Sequence, residues 1–296
     1  MTVHRNRSAA QSGMLWRHLV GGYSLGRSYW LHMVLLGWCL AFVAAWFLNT
    51  LAERSTVRST SIALLVIEPL LLVAWMWSVI GATVSALRNL FAGPSRLWGA
   101  VALLFIGLSL VGGSQELRRL GVANKEHLAV ALGKQPTESF EIALSADGRI
   151  ITFTGGVNDG AATAIDRAIG AAPSVGTLVL DSPGGWLKEG IRMADVVKRY
   201  RLNTRVEKQC FSACTLVLLA GENRSAGDGA QIGFHRGRAI GESRRNAPHP
   251  AAKEEADIYR KAGLRDAFVE RIVSTPNDSI LIPSRHELLH EDVLTR

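Results

Sequence analysis

Three long apolar segments, all before residue 114, limit what this chain can fold into more than any other feature. Residues 29–52 contain no Asp, Glu, Lys or Arg, residues 61–87 contain one acid, Glu68, followed by Pro69, and residues 97–113 contain none. A helix crossing a bilayer core needs about 20 apolar residues, within a range of about 17–25. The first two segments exceed that length and the third just meets it. Tyr29, Trp30 and Trp98 stand at segment ends, where interfacial rings are expected. A cleaved signal peptide does not fit, because the first run starts late, is long, and is followed by two more. The expected organisation is an N-terminal segment 1–28 and a transmembrane block 29–113 with spans at 29–52, 61–87 and 97–113. A linker or lead-in helix, 114–139, and a water-facing domain, 140–296, follow.

The flanking charges orient such a block. Arg5, Arg7, Arg17 and Arg27 precede the first segment, Arg54 and Arg58 stand with Glu53 in the first loop, and Arg88 and Arg96 lie in the second. The excess of basic residues on the cytoplasmic side places the N-terminus and the second loop inside. Three crossings then put the C-terminal domain outside, periplasmic or extracellular; two would keep it inside. Glu68 is a functional group within the membrane, a group near the interface, or one facing the helix bundle beside a proline kink.

The formal charge is +8. The basic residues are scattered, without a stripe of interleaved aromatics, so a nucleic-acid partner is not expected. Phosphate-binding and dinucleotide-binding glycine patterns are missing, as are Cys/His metal spacings, so neither cofactor nor metal is expected. Cys39 lies in an apolar run. Cys210 and Cys214, four apart, read as two buried small side chains, or as a disulfide if the domain lies outside the cytoplasm.

From Phe140 onward, short apolar runs alternate with helical stretches. Strands are expected at 140–144, 150–153, 177–180, 204–207 and 230–234, and helices at 159–171, 187–200, 212–220 and 251–273. The alternation implies a largely parallel α/β sheet covered on both faces. In such sheets ligands meet the chain where strands end and helices begin. Three junctions carry unusual residues: Asp181-Ser182-Pro183-Gly184-Gly185, Ser212 before an apolar helix, and His235 after Gln231-Ile232-Gly233-Phe234.

At these junctions the sequence resembles the Clp-protease/crotonase superfamily. Arg149-Ile150-Ile151 with Gly155-Gly156-Val157-Asn158-Asp159 resembles the first strand and turn of the Clp-protease proteolytic subunit. Ser182-Pro183-Gly184-Gly185 resembles its oxyanion loop. Ser212-Ala213 with Leu218-Leu219-Ala220-Gly221 resembles its nucleophile helix, and Ile232-Gly233-Phe234-His235 its histidine strand. The motifs keep the family's order over about residues 140–290. The resemblance implies a spiral of β-β-α units, preceded here by the all-α membrane block, and a serine peptidase acting on peptides or proteins. Ser212 would be nucleophile, His235 general base and Asp278 the acid, with Asp257, Asp266 and Glu270 as competitors for that last place. The amides of Gly185 and Ala213 would form the oxyanion hole, supported by Ser182, Pro183 and Gly184.

Read without the family pattern, a serine at the head of a helix is usually an N-cap, a histidine after a strand is usually a surface or packing residue, and Asp278 is equally a turn residue or helix cap. Lys188 and Lys208 keep a serine–lysine pair open. Trp186 would shape a pocket, and residues 237–250 a covering loop. The resemblance implies self-association, while the apolar segments and their flanking charges imply a multi-pass protein of a bacterial inner (cell) membrane, with lipid as partner. A non-catalytic sensor or scaffold of the same fold, and crotonase-like chemistry on an acyl thioester, are the competing functions.

Overall fold

The computed structural model describes residues 13–238, 240 and 252–295. The chain forms two compact units, one of residues 1–55 and 59–128, the other of 56–58 and 129–296.

The first unit is helical. α1 (Met14–Leu19) is followed by a helix that opens as a π-helical stretch, Arg27–Leu35, and continues as α2 (Leu36–Arg54). α3 (Val57–Ala92) and α4 (Arg96–Ala131) complete it. Three helices, Arg27–Arg54, Val57–Ala92 and Arg96–Ala131, are long and apolar enough to cross a membrane. At 1.5 Å per residue, a 36-residue helix runs about 54 Å, well beyond a hydrocarbon core of about 30 Å. Within the linker or lead-in helix expected at 114–139, residues Ser114 to Ala131 are helical and continuous with α4, and Gly112-Gly113 does not break it.

α3 and α4 run antiparallel. A Cβ built on Gly99 would lie 2.9 Å from the Ala86 carbonyl oxygen, so glycine permits this close approach. Farther along, the Asn124 amide donates to Glu68 at 2.8 Å, and Ser61 and His127 are hydrogen-bonded at 3.0 Å. Glu68 thus stands level with the polar turns of α4 and faces that helix. Ala82, Ala86, Ala102, Val79 and Ile106 form a small buried core, while Trp38, Phe42 and Leu104 are exposed. Cys39 is exposed on α2 and carries a free thiol.

The second unit is mixed α/β. β1 (Phe140–Leu144) and β2 (Ile150–Gly155) form an antiparallel hairpin. β3 (Thr177–Ser182), β4 (Asn203–Phe211), β5 (Arg224–Ala226) and β6 (Gln231–Gly233) add in parallel. The order is β1-β2-β3-β4-β5, with β6 also on β4. β4 extends to Phe211 because its last three residues pair with β6, after its first part has paired with β5. Leu178, Val179 and Leu180 of β3 are all buried, as in a strand covered on both faces. α5 (Ala161–Ala171), α6 (Leu187–Arg199) and α7 (Ala213–Leu219) connect the strands. α6 turns Met193, Val196 and Val197 inward, and every residue of α7 is buried.

The single helix expected over 251–273 is two, α8 (Ala252–Lys261) and α9 (Asp266–Ser274). Gly263 between them has φ +97°, a left-handed conformation that ends α8. β5 and α10 (Arg285–His290) lie outside the expected elements; both are too short for a periodic signal. The covering loop expected at 237–250 lies outside the described residues, except 237, 238 and 240.

Candidate active site

Ser212 is the single residue between β4 and α7. Its backbone has φ +53° and ψ −126°, a region that a residue with a Cβ enters at a cost of about 1–3 kcal/mol. The surroundings hold it there. Its N–H donates to the Gly233 carbonyl at 2.9 Å, and its own carbonyl accepts from the Thr215 N–H at 2.9 Å and hydroxyl at 2.7 Å. Cys210 and Cys214 are joined in a disulfide across it. The favoured expectation of two unpaired small side chains gives way to the alternative: the sharp strand-to-helix turn brings the two sulfurs together, and both residues are fully buried. The side chain of Ser212 is half-buried at the C-terminal edge of the sheet.

The glycine loop after β3 lies against this turn. Ser182 Oγ accepts from the Gly184 N–H at 3.1 Å. Gly184 has φ +93°, and a Cβ built on it would lie 2.5 Å from the Phe211 carbonyl oxygen and 2.8 Å from Ser212 Cβ. The Val157 N–H donates to the Gly184 carbonyl and the Trp186 N–H to the Val157 carbonyl, both at 2.8 Å. In that parallel bridge, Gly185 directs its own N–H away from Val157, toward the side on which β3 neighbours β4. Ala213 opens α7, so its N–H has no intrahelical acceptor. Among the described residues, neither the Gly185 nor the Ala213 amide has a hydrogen-bond acceptor. Residues 135–138 brace the loop: Trp186 Nε1 donates to Gln135 at 2.9 Å and the Thr137 hydroxyl to the Gly184 carbonyl at 3.2 Å.

His235 follows β6. Phe211 of β4 pairs with Gly233 of β6, so Ser212 and His235 leave the ends of adjacent parallel strands. Phe234 is fixed by paired hydrogen bonds with Leu281, and the Arg236 N–H donates to Thr275. His235 Nδ1 lies 2.8 Å from the Arg236 carbonyl oxygen. Two acceptors would repel at that distance, so Nδ1 carries the proton and Nε2 is bare. Burial lowers the ring's pKa below its ordinary value, against a smaller opposing effect of that carbonyl. The ring is therefore neutral at pH 7 and able to accept a proton. Among the described residues the Ser212 hydroxyl makes no hydrogen bond to it.

The other candidates are placed as follows. Asp278 is exposed on the turn Pro276–Ser279, and Asn277 on the same turn places Nδ2 3.0 Å from His235 Nδ1. Asp257, Asp266 and Glu270 all bind Arg260. Lys208 pairs with Asp181 at 3.3 Å. Lys188, early in α6, is half-buried. Pro183 is exposed on the glycine loop. Sequence reasoning missed Asn277, whose partner is remote along the chain. It also missed Glu255 of α8, a buried carboxyl that accepts the Gly237 N–H and whose pKa is raised chiefly by burial.

A mixed α/β domain behind a block of long apolar helices, with a serine held on a strained strand-to-helix turn beside a glycine loop, is the class that fold and site define. No family model matches the sequence, and no curated protein matches it. Among solved structures the chain is similar to a point mutant of ClpP1 from Listeria monocytogenes, with 17% identity and a TM-score of 0.37 over 50% of this chain and 90% of that one. It is a distant likeness over half of the molecule.

Proposed function

We propose that this chain is a membrane-tethered serine peptidase of Clp-protease-like fold, acting on peptides or proteins outside the cytoplasm. The observation that carries this is Ser212 at φ +53°, beside two amides without acceptors among the described residues. A serine hydroxyl is a weak nucleophile until a neighbouring base takes its proton. In this chemistry His235 Nε2 accepts that proton as Ser212 Oγ attacks the scissile carbonyl. The developing oxyanion is held by the amides of Gly185 and Ala213, each contributing about 3–4 kcal/mol. The imidazolium then protonates the leaving amine, and water, activated by the same ring, releases the acyl group. The turn Pro276–Ser279, which carries Asn277 and Asp278, supplies the third member.

Three helices long and apolar enough to cross the bilayer support the tether, and the charge distribution supports a cytoplasmic N-terminus. The Cys210–Cys214 disulfide supports an oxidising compartment, the periplasm or cell exterior. Lipid contact and self-association belong to the same proposal. A fluorophosphonate probe applied to the full chain in detergent micelles tests it. Labelling at Ser212, abolished in Ser212→Ala, is the expected result; labelling that persists in that variant removes the assignment. The missing hydroxyl–imidazole hydrogen bond favours the competing reading, a sensor or scaffold that keeps the fold without catalysis, although such bonds often tighten only when substrate is bound. A folded chain that never labels at Ser212 supports that alternative.

A further inference from the structure

The turn Pro276–Ser279 is closed by the Ser279 N–H donating to Pro276, and it is tied to the histidine segment by the Arg236 N–H donating to Thr275. Two neighbouring residues on it point to different places. Asp278 is exposed, whereas Asn277 is half-buried against His235. The Asn277 amide nitrogen lies 3.2 Å from the Arg236 carbonyl oxygen, the acceptor of the ring's Nδ1–H, and 3.0 Å from Nδ1 itself. With Nδ1 protonated, the amide donates to that carbonyl and fixes it in place. A half-turn of the amide presents Oδ1 to the same Nδ1–H. Either way, the group beside the proton-bearing nitrogen is a neutral amide.

We propose that Asn277, together with the Arg236 carbonyl, holds His235 in its working tautomer, the role that a carboxylate fills in serine hydrolases with an acidic third member. This rests on the hydrolase chemistry proposed for Ser212. Asn277 is a positioning residue: it acts through the ring and touches no reacting atom. A neutral partner stabilises the imidazolium less than a carboxylate would, so the ring stays unprotonated to lower pH. The charged groups around the ring are Arg236, next to it in the chain, Glu255 of α8 on the Gly237 amide, and Asp278 on the same turn.

The experiment measures fluorophosphonate labelling of the full chain in detergent micelles as a function of pH. In the unaltered chain, labelling rises through an acid limb centred below the ordinary histidine value of 6.5. Asn277→Ala slows labelling about tenfold, the scale of one neutral hydrogen bond. Asn277→Asp keeps labelling and moves the acid limb to higher pH, because a carboxylate beside Nδ1 favours the charged ring. Asp278→Asn slows labelling less than Asn277→Ala does. The proposal is overturned if Asp278→Asn slows labelling while Asn277→Ala does not. A thermal melt shows whether Asn277→Ala folds; if it does not, an unmoved midpoint in Asn277→Asp overturns the proposal by itself. If the unaltered chain never labels at Ser212, the hydrolase chemistry fails separately. The His235 titration followed by NMR then decides the contact: a midpoint raised in Asn277→Asp supports it, and an unchanged one rejects it.

Discussion

Gly184 and Gly185 show how narrowly single residues are constrained around Ser212. Gly184 has a positive φ, and a side chain there would collide with the Phe211 carbonyl and with Ser212 itself. At Gly185 a Cβ would collide with the Val157 carbonyl. Gly229 also has a positive φ, +79°, but open space surrounds it, so it separates backbone strain from steric collision. Gly184→Ala is expected to lower Ser212 labelling by about a hundredfold, the scale of a displaced oxyanion donor. Gly229→Ala is expected to leave labelling intact. Equal labelling in the two variants would show that the loop does not shape the site. At this scale much was legible in the sequence. Paired glycines after a buried strand, and a serine ahead of an apolar helix, are local signals. Asn277 was not legible, because its contact with His235 spans 42 residues and Asn-Asp in a turn says nothing about which side chain faces inward. The Cys210–Cys214 bond also depended on fold: spacing alone leaves the pair open, and only the change from strand to helix at Ser212 joins the sulfurs.

Among the elements, periodicity located the central strands and α5, α6 and α7, because each repeats its apolar residues over enough turns or alternations to stand out. It failed where tertiary pairing decides. β4 outruns its expected span, Thr-Arg-Val-Glu, since Gln209, Cys210 and Phe211 are held in extended form by β6. The α8–α9 break was hidden because apolar spacing continues on both sides of Gly263. No atom outside the immediate chain would touch a Cβ at Gly263, and its φ is +97°. Gly263→Ala therefore isolates the cost of the left-handed backbone, about 1–2 kcal/mol. A drop in melting temperature of about 2–8 °C is expected. An unchanged melting temperature would show that the helix break does not depend on glycine.

For the whole molecule, the three apolar helices were legible from length and composition. The true extent of the last two was not. Hydropathy ends where polar residues begin, whereas backbone hydrogen bonding in α4 continues through Ala131. The pairing of Glu68 with Asn124 follows from that continuation. The cysteines carry a practical consequence. Of three in the chain, two are consumed in a buried bond, which leaves Cys39 on α2 as the sole free sulfhydryl. Nature has thus supplied a single-site handle for spectroscopy. Under denaturing, non-reducing conditions one maleimide should attach per molecule, rising to three after reduction. In sealed vesicles a charged, impermeant maleimide should leave that handle unmarked while a permeant one reaches it. Three adducts without reductant would contradict the bond, and rapid marking by the impermeant reagent would contradict immersion of α2 in lipid.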